Sequence, residues 1–276
     1  MEAFILDAVR TPRARARPGK GALSGLHPQE LLAQTLKQLP LRTGIDVAEV
    51  DDVVVGCVSQ IEEQGANVAR QALLAAGWPI SVPAFSLNRF CGSGLQALSL
   101  AAMGVASGAQ HLVVSGGVEQ MSRFGLGADG GGTDGGNPRL RQRFFQVPQG
   151  ISADLIATLE GFTREELDAF GLRSQQLATR AQAEGRFKRG LFEVKHPDTG
   201  EVLLSVDDSP RGDTSREKLA ALSPAFVSLG AQPSEPGGAT LDALALRAYP
   251  RAARCAISTR RGHPAASRTA PRRCWW

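Results

Sequence analysis

Cys91 is the residue of this chain best placed to form a covalent bond. It lies in Asn88-Arg89-Phe90-Cys91-Gly92-Ser93-Gly94, between a short apolar β-type run and a long apolar helical run. A thiol becomes a useful nucleophile when its pKa falls. The start of a helix lowers it by setting unpaired N–H groups and a positive dipole near the sulfur. Gly92 and Gly94 permit a tight turn and close approach of a substrate to backbone N–H groups. Those groups could hold the oxyanion of a thioester under attack. The same local pattern equally fits a buried structural cysteine, and on these residues alone the two readings stand level.

Other chemistries find little support. The remaining cysteines, Cys57, Cys255 and Cys274, form no CxxC pair with each other or with Cys91. The four histidines, His27, His111, His196 and His263, show no paired spacing to Cys, Asp or Glu, so no metal site is expected. There is no Gly-x-Ser-x-Gly elbow. Gly125-Leu126-Gly127-Ala128-Asp129-Gly130-Gly131-Gly132 is not followed by Lys-Ser/Thr and opens no helix. It reads as a loop rather than a phosphate cradle.

The elements that must position Cys91 alternate between strand and helix. Ala3–Val9, Val53–Val58, Pro83–Leu87 and His111–Ser115 are short runs of strand character. Pro28 opens a helix with Leu31, Leu32, Thr35 and Leu36 on one face. Asn67 can cap another carrying Val68, Ala69, Ala72, Leu73 and Ala76, with Gly77 ending it. Leu95 to Ala106 is apolar nearly all round, which predicts a helix buried within the domain. This order predicts a parallel sheet covered by helices, the α/β class. Farther on, Thr163-Arg164-Glu165-Glu166 is a capping box. It opens a helix with Leu167, Phe170, Ser174, Leu177 and Ala181 on one face, ended by Gly185. The stretch from Met121 to Phe226 therefore reads as an inserted α-rich lobe.

Composition and charge bound the rest. With 276 residues, 42% hydrophobic and 21% charged, the chain can bury a sizeable core. The net charge of +4 invites a nucleic-acid reading. Eight arginines and two acidic residues lie from Val227 on, leaving 23 basic and 25 acidic residues in 1–226. The positive balance belongs to the last fifty residues, and no aromatic–basic interleaving supports nucleic acid. No apolar run is long enough for a membrane span, and the N-terminus has no secretory pattern. A cytoplasmic protein with reduced thiols is expected. Val227–Trp276 contains no Lys and holds no sustained period, so a disordered tail is expected there.

Residues 88–97, Asn-Arg-Phe-Cys-Gly-Ser-Gly-Leu-Gln-Ala, resemble the nucleophile segment of thiolases. Leu6-Asp7-Ala8-Val9-Arg10-Thr11-Pro12 resembles that family's opening strand, and Asn67-Val68-Ala69-Arg70-Gln71-Ala72 its second helix region. Ser115-Gly116-Gly117-Val118-Glu119-Gln120-Met121-Ser122 is similar to its Gly-Gly-x-Glu-x-Met-Ser turn. Leu172-Arg173-Ser174-Gln175-Gln176, Gly185-Arg186-Phe187-Lys188 and Pro224-Ala225-Phe226 are similar to its coenzyme A-binding lobe. The matches are collinear over residues 1–226. They imply the N-terminal half of the thiolase fold, a mixed sheet covered by helices, in residues 1–120. The coenzyme A-binding lobe would fill 121–226 and a non-family tail 227–276.

The resemblance implies an acyl-CoA acyltransferase of acetyl-CoA C-acetyltransferase or 3-ketoacyl-CoA thiolase type. Cys91 would take the acyl group and pass it to a second acyl-CoA (condensation) or to free CoA (thiolysis). Arg211 and Lys218 would stand beside the CoA nucleotide, and Phe226 would line the pantetheine channel. Coenzyme A would be substrate and product, with no further cofactor and no metal. Family members are homodimers or homotetramers. Plain surface charge at Arg211 and Lys218, and lobe core at Phe226, are the competing readings.

The chain departs from the family at Arg13, Arg15 and Arg17, where the stretch is usually glycine-rich, and at Pro148-Gln149, where many members place histidine and methionine. After Phe226 the family's C-terminal half would supply a Gly-His-Pro histidine and a second cysteine in a glycine-rich loop. Such base and proton-transfer help is each worth ~10²–10⁴-fold. His263 lies in Arg261-Gly262-His263-Pro264, but Ala265-Ala266-Ser267-Arg268 does not continue the pattern, and the match is read as chance. The C-terminal half is expected to be missing, through a reading-frame slip just after Phe226. Translating the gene from that codon in the other two frames tests it. Two alternatives remain: an inactive remnant that binds CoA or a partner, and a ketoacyl synthase, which would prefer acyl carrier protein.

Overall fold

A computed structural model describes residues 2–16, 19–132, 134–144, 146–235 and 237–252. The chain divides into two units, one formed by Met1–Gly130 with Ala181–Ser209, the other by Gly131–Arg180 with the chain from Pro210 on. The lobe expected over 121–226 thus has its stretches 121–130 and 181–209 in the first unit.

The first unit is built on strands β1 (Asp52–Gly56), β2 (Ala84–Leu87) and β3 (Val113–Gly117). They pair in parallel in the order β2-β1-β3, with Val54 opposite Phe85 and Ser115. Central β1 is buried from Val53 to Gly56, as a strand covered on both faces must be. Helix α1 (Pro28–Thr43) starts where proline costs no hydrogen bond. His27 Nδ1 caps it by accepting from Gln29 N, 3.2 Å away, and Gly44 closes it at φ 71°. Helix α2 (Val68–Ala75) is capped by Asn67, whose side chain accepts from Arg70 N. Leu32, Leu36, Val53, Val55, Ala69, Leu73 and Trp78 close the core these elements share. The α/β class expected from the alternation is the one observed, and among the described strands the antiparallel ladder is the short pair β4 (Val194–Lys195) and β5 (Val202–Leu204).

Two elements depart from expectation. Ala3–Val9 joins no ladder. Its neighbour Arg10 makes a single bridge to Leu191, while Phe4, Ile5 and Leu6 are about seven-tenths exposed. An apolar β-type run becomes a strand only when an edge receives its N–H and C=O groups, and no described edge does so. Helix α3 (Ser93–Ala106) is also not buried all round. Ser93, Ala97 and Ala101 are its buried positions, and it packs on β1 and β3, whereas Leu95, Leu98 and Met103 are exposed. The small residues allow close helix–sheet packing. The large ones find nothing to cover them among the described residues.

The opening Arg10-Thr11-Pro12 is anchored within this unit. The Arg10 guanidinium donates to both oxygens of buried Asp207 at 2.7 and 2.9 Å, and Arg13 N adds a third donor at 2.7 Å. Burial pushes the Asp207 carboxyl up, but Arg10 and the Arg13 N–H outweigh it and hold it below its ordinary value. Arg15, one of the arginines that depart from the family's glycine-rich stretch, donates from Nε to Asp208 O at 2.8 Å.

The second unit is helical: α4 (Pro138–Arg143), α5 (Gln149–Glu160), α6 (Arg164–Ala183) but for its last three residues, and α7 (Arg216–Ala220). The capping box forms as expected, with Thr163 N donating to Glu166 Oε2 at 2.8 Å and Glu166 N to Thr163 Oγ1 at 3.2 Å. The apolar face expected on α6 is not a core face, since no α6 residue is buried and Phe170 is exposed. The expectation of a disordered tail from Val227 does not hold for 227–235 and 237–252. Helices α8 (Val227–Gly230) and α9 (Leu241–Ala248) lie there, Thr240 Oγ1 caps α9 by accepting from Ala243 N at 3.1 Å, and α9 packs on α5. A polar cap and one buried alanine, Ala245, suffice for a short docked helix whose period is too brief to detect in sequence. His263, Cys255 and Cys274 lie outside the described residues.

Candidate active site

The turn from β2 to α3 holds Cys91 by a dense set of short-range hydrogen bonds. Asn88 Oδ1 accepts from Phe90 N at 2.8 Å. The buried Ser93 hydroxyl donates to Phe90 O at 2.6 Å and accepts from Arg89 N at 2.8 Å. Gly92 N and Ser93 N donate to Arg89 O and Phe90 O. The left-handed backbone of the turn falls on Phe90, at φ 47°, while Gly92 is at φ −88°. A bulky residue there costs on the order of 1–3 kcal/mol and persists because its surroundings dictate it. The glycines flanking Cys91 were expected to provide this freedom. The strain lies one residue earlier.

Cys91 is exposed on this turn, directly before Gly92, the N-cap of α3. No side chain caps that end; Gly92 N and Ser93 N are engaged within the turn, and an α-helix leaves further N–H groups of its first turn without intrahelical partners. An exposed thiol beside such an end can attack an electrophilic carbonyl, and the N–H groups can receive the resulting oxyanion.

Close packing sets the turn against the sheet. A Cβ at Gly56 in β1 would lie 2.5 Å from Ser93 C and 2.7 Å from Gly94 N, so only glycine lets α3 start there. Gly117 in β3 is similarly confined, 3.1 Å from Gly56 O. By contrast Gly94 has open space beside its Cα.

Cys57 supplies the comparison. It is 1% exposed at the end of β1, and its Sγ lies 3.9 Å from Glu119 Oε2. Burial, then the Glu119 charge, push its thiol up to about 12. Its surroundings are those of an inert structural cysteine.

Arg211, Lys218 and Phe226 stand in the second unit, Cys91 in the first. Arg211 is half-buried, with its N donating to Gln175 Oε1 of α6 at 2.8 Å and its carbonyl accepting from Thr214. Lys218 Nζ is exposed and donates to Asp213 Oδ2 at 2.6 Å and Asp213 O at 2.7 Å, which holds the Asp213 carboxyl below its usual range. The two basic residues thus stand on either side of the turn that leads into α7. Phe226 packs its ring on Gly150 of α5, where any Cβ would collide with it. Residues whose roles the sequence did not reveal are Gly56, Ser93, Asn88 and Glu119. Glycine at the end of a strand is the one signal that could have singled out Gly56.

Comparison with known proteins agrees over most of the chain. The profile of the family described as Thiolase, N-terminal domain, matches residues 3–233. A beta-ketoadipyl-CoA thiolase of Pseudomonas aeruginosa is 40% identical over 240 residues, covering 81% of this chain and 59% of that protein. A 3-ketoacyl-CoA thiolase of Marinomonas sp. is 35% identical over 233 residues, covering 82% and 58%. The crystal structure of the Bacillus anthracis acetyl-CoA acetyltransferase superposes with a TM-score of 0.68 at 33% identity, covering 82% of this chain and 59% of that one. The chain thus spans under two thirds of the length of these relatives. It belongs to the thiolase family, of which it holds the N-terminal portion.

Proposed function

We propose that the protein is the N-terminal portion of an acyl-CoA acyltransferase whose acyl carrier is Cys91. The observation that carries this reading is an exposed thiol on a strained turn before an uncapped helix N-terminus. The Cys91 thiolate would attack an acyl-CoA carbonyl. The bond from acyl carbon to CoA sulfur breaks, CoA leaves as a thiolate that takes up a proton, and the acyl group stays on Sγ. A second acyl-CoA, its α-proton taken by a general base, would then attack the acyl-cysteine through that carbon; the bond from acyl carbon to Sγ breaks, the Cys91 thiolate is released and a 3-ketoacyl-CoA forms, or the thiolate of CoA would take the acyl group in thiolysis. Arg211 and Lys218 would meet the CoA nucleotide phosphates and Phe226 the pantetheine arm. Meeting phosphate requires Lys218 to exchange its bond with Asp213. Coenzyme A serves as substrate and product, and no cofactor is assigned. A place in fatty-acid metabolism, in the cytoplasm and as a homodimer or homotetramer, completes the reading. No described helix is long and apolar enough to cross a membrane.

Acetyl-CoA incubation followed by peptide mass analysis tests it. One acetyl group should appear on the Cys91 peptide and be lost in Cys91→Ser. A Cys91 that stays unacylated while the chain still binds CoA would favour a non-catalytic remnant. That second reading draws on Arg261-Gly262-His263-Pro264, a motif that does not continue as it does in the family.

A further inference from the structure

Glu119 follows β3 and is far from Cys91 in sequence, yet a continuous line of hydrogen bonds joins it to the amide of Phe90, the residue before Cys91. Its Oε2 accepts from Val58 N at 2.8 Å, and its Oε1 accepts from Ser59 N at 3.3 Å. The buried Gln64 side chain donates to the same Oε1 at 3.2 Å and to Ser59 O at 2.9 Å, and accepts from Gln120 N at 2.6 Å. Four donors, counting the Cys57 thiol, therefore converge on one carboxylate.

The peptide between Val58 and Ser59 is the first relay. Its N–H points at Glu119, while its carbonyl, Val58 O, accepts from Asn88 Nδ2 at 3.0 Å. Asn88 is the second relay, since its Oδ1 accepts from Phe90 N at 2.8 Å. Each amide whose N–H meets a strong acceptor presents a more negative oxygen to the next donor, so the bonds along such a line reinforce one another. The last bond holds Phe90 at its left-handed φ of 47°, and Cys91 is the next residue. Without that bond the strained backbone has one fewer constraint.

We propose that Glu119 is a positioning residue for the Cys91 turn, acting through the Val58–Ser59 peptide and Asn88 rather than by touching the substrate. The inference rests on Cys91 being the reacting thiol. It predicts that loss of the carboxylate loosens Cys91 without unfolding the sheet.

The test measures the rate of Cys91 alkylation by iodoacetamide against pH in the full chain, resolved by peptide mass. Glu119→Gln keeps the volume but loses the anionic acceptor. It should slow Cys91 by roughly tenfold, the scale of one charge-assisted hydrogen bond, and shift the pH profile. Asn88→Ala should do the same, and the double variant should be no slower than either single one, as members of one line are not additive. Glu119→Asp should restore part of the rate. A wild-type rate and profile in Glu119→Gln, or strictly additive losses in the double variant, overturns the proposal. If Glu119→Gln does not fold, Asn88→Ala decides alone, and an unchanged Cys91 rate there overturns it as well. Because the probe is iodoacetamide, a chain that is never acylated by acetyl-CoA can still show or lack this coupling, which keeps the two readings separable.

Discussion

Cys57 and Cys91 carry the same functional group in opposite surroundings, and the contrast makes the site testable one residue at a time. Cys57, buried and pushed up to about 12, stays a neutral thiol throughout the neutral range. Cys91 is exposed on its turn. In the native protein iodoacetamide at pH 8 should label Cys91 and spare Cys57 until guanidinium unfolds the chain. Equal labelling of both in the native state would contradict the burial that separates them. The position of Cys91 was legible in the sequence because a lone thiol between a strand run and a helix run is a local pattern. The role of Glu119 was not, since its partners Val58, Ser59 and Gln64 are some 55 to 61 residues away in the chain. Periodicity and capping rules carry no information at that separation.

At the scale of elements, the requirement for glycine falls where a helix start meets a strand. Gly56→Ala should destabilise the first unit by about 1–3 kcal/mol, the usual cost of overpacking, because its Cβ meets backbone of α3 at 2.5 and 2.7 Å. Gly94→Ala, with nothing within 4 Å, should be neutral or slightly stabilising, as alanine is the better helix former. Urea midpoints compare the two, and a Gly94→Ala loss equal to that of Gly56→Ala would refute the packing argument. From sequence alone Gly92 and Gly94 were the glycines singled out and Gly56 was one residue of a strand, since strand–helix contact is a tertiary fact. In the second unit, α5 and α9 bring another element-scale property. Burial, then the charge of Asp242, raise the Asp154 carboxyl from 3.8 to about 7, and burial raises Asp242 too. A carboxyl raised by folding favours the folded state in its protonated form. Its contribution is full below about pH 4 and is lost as pH rises through about 7. Hydrogen exchange in α5 and α9, corrected for intrinsic rates, should therefore show protection falling between pH 5 and 8. Asp154→Asn should flatten that change. Protection that falls equally in both proteins would place its cause elsewhere.

At the scale of the whole molecule, the first unit exposes large apolar side chains close together on α3, and contiguous exposed apolar surface favours association. Leu95, Leu98 and Met103 lie on the side of α3 opposite Ala97 and Ala101, and Phe4, Ile5 and Leu6 are exposed in a segment without a ladder. The apolar, all-round pattern of Leu95–Ala106 was legible as a demand for burial on every side. The structure meets that demand on the sheet side only, and a sequence pattern states what must be covered, never what covers it. The physical consequence is direct, because uncovered apolar area is stabilised by any surface that removes it from water, at ~25 cal/mol per Å². The purified chain should bind an environment-sensitive apolar dye in its native state and self-associate at micromolar concentration. Ammonium sulfate should strengthen both effects, as excluded salts favour burial. A Leu95→Glu, Met103→Glu double variant should reduce dye fluorescence and shift sedimentation toward monomer. Its urea midpoint should stay near that of the parent, since substitutions at exposed positions usually change stability by less than ~0.5 kcal/mol. Dye binding that persists undiminished in this variant would mean that α3 is not the adhesive surface. A strong drop in its urea midpoint would mean that these side chains are already covered in solution.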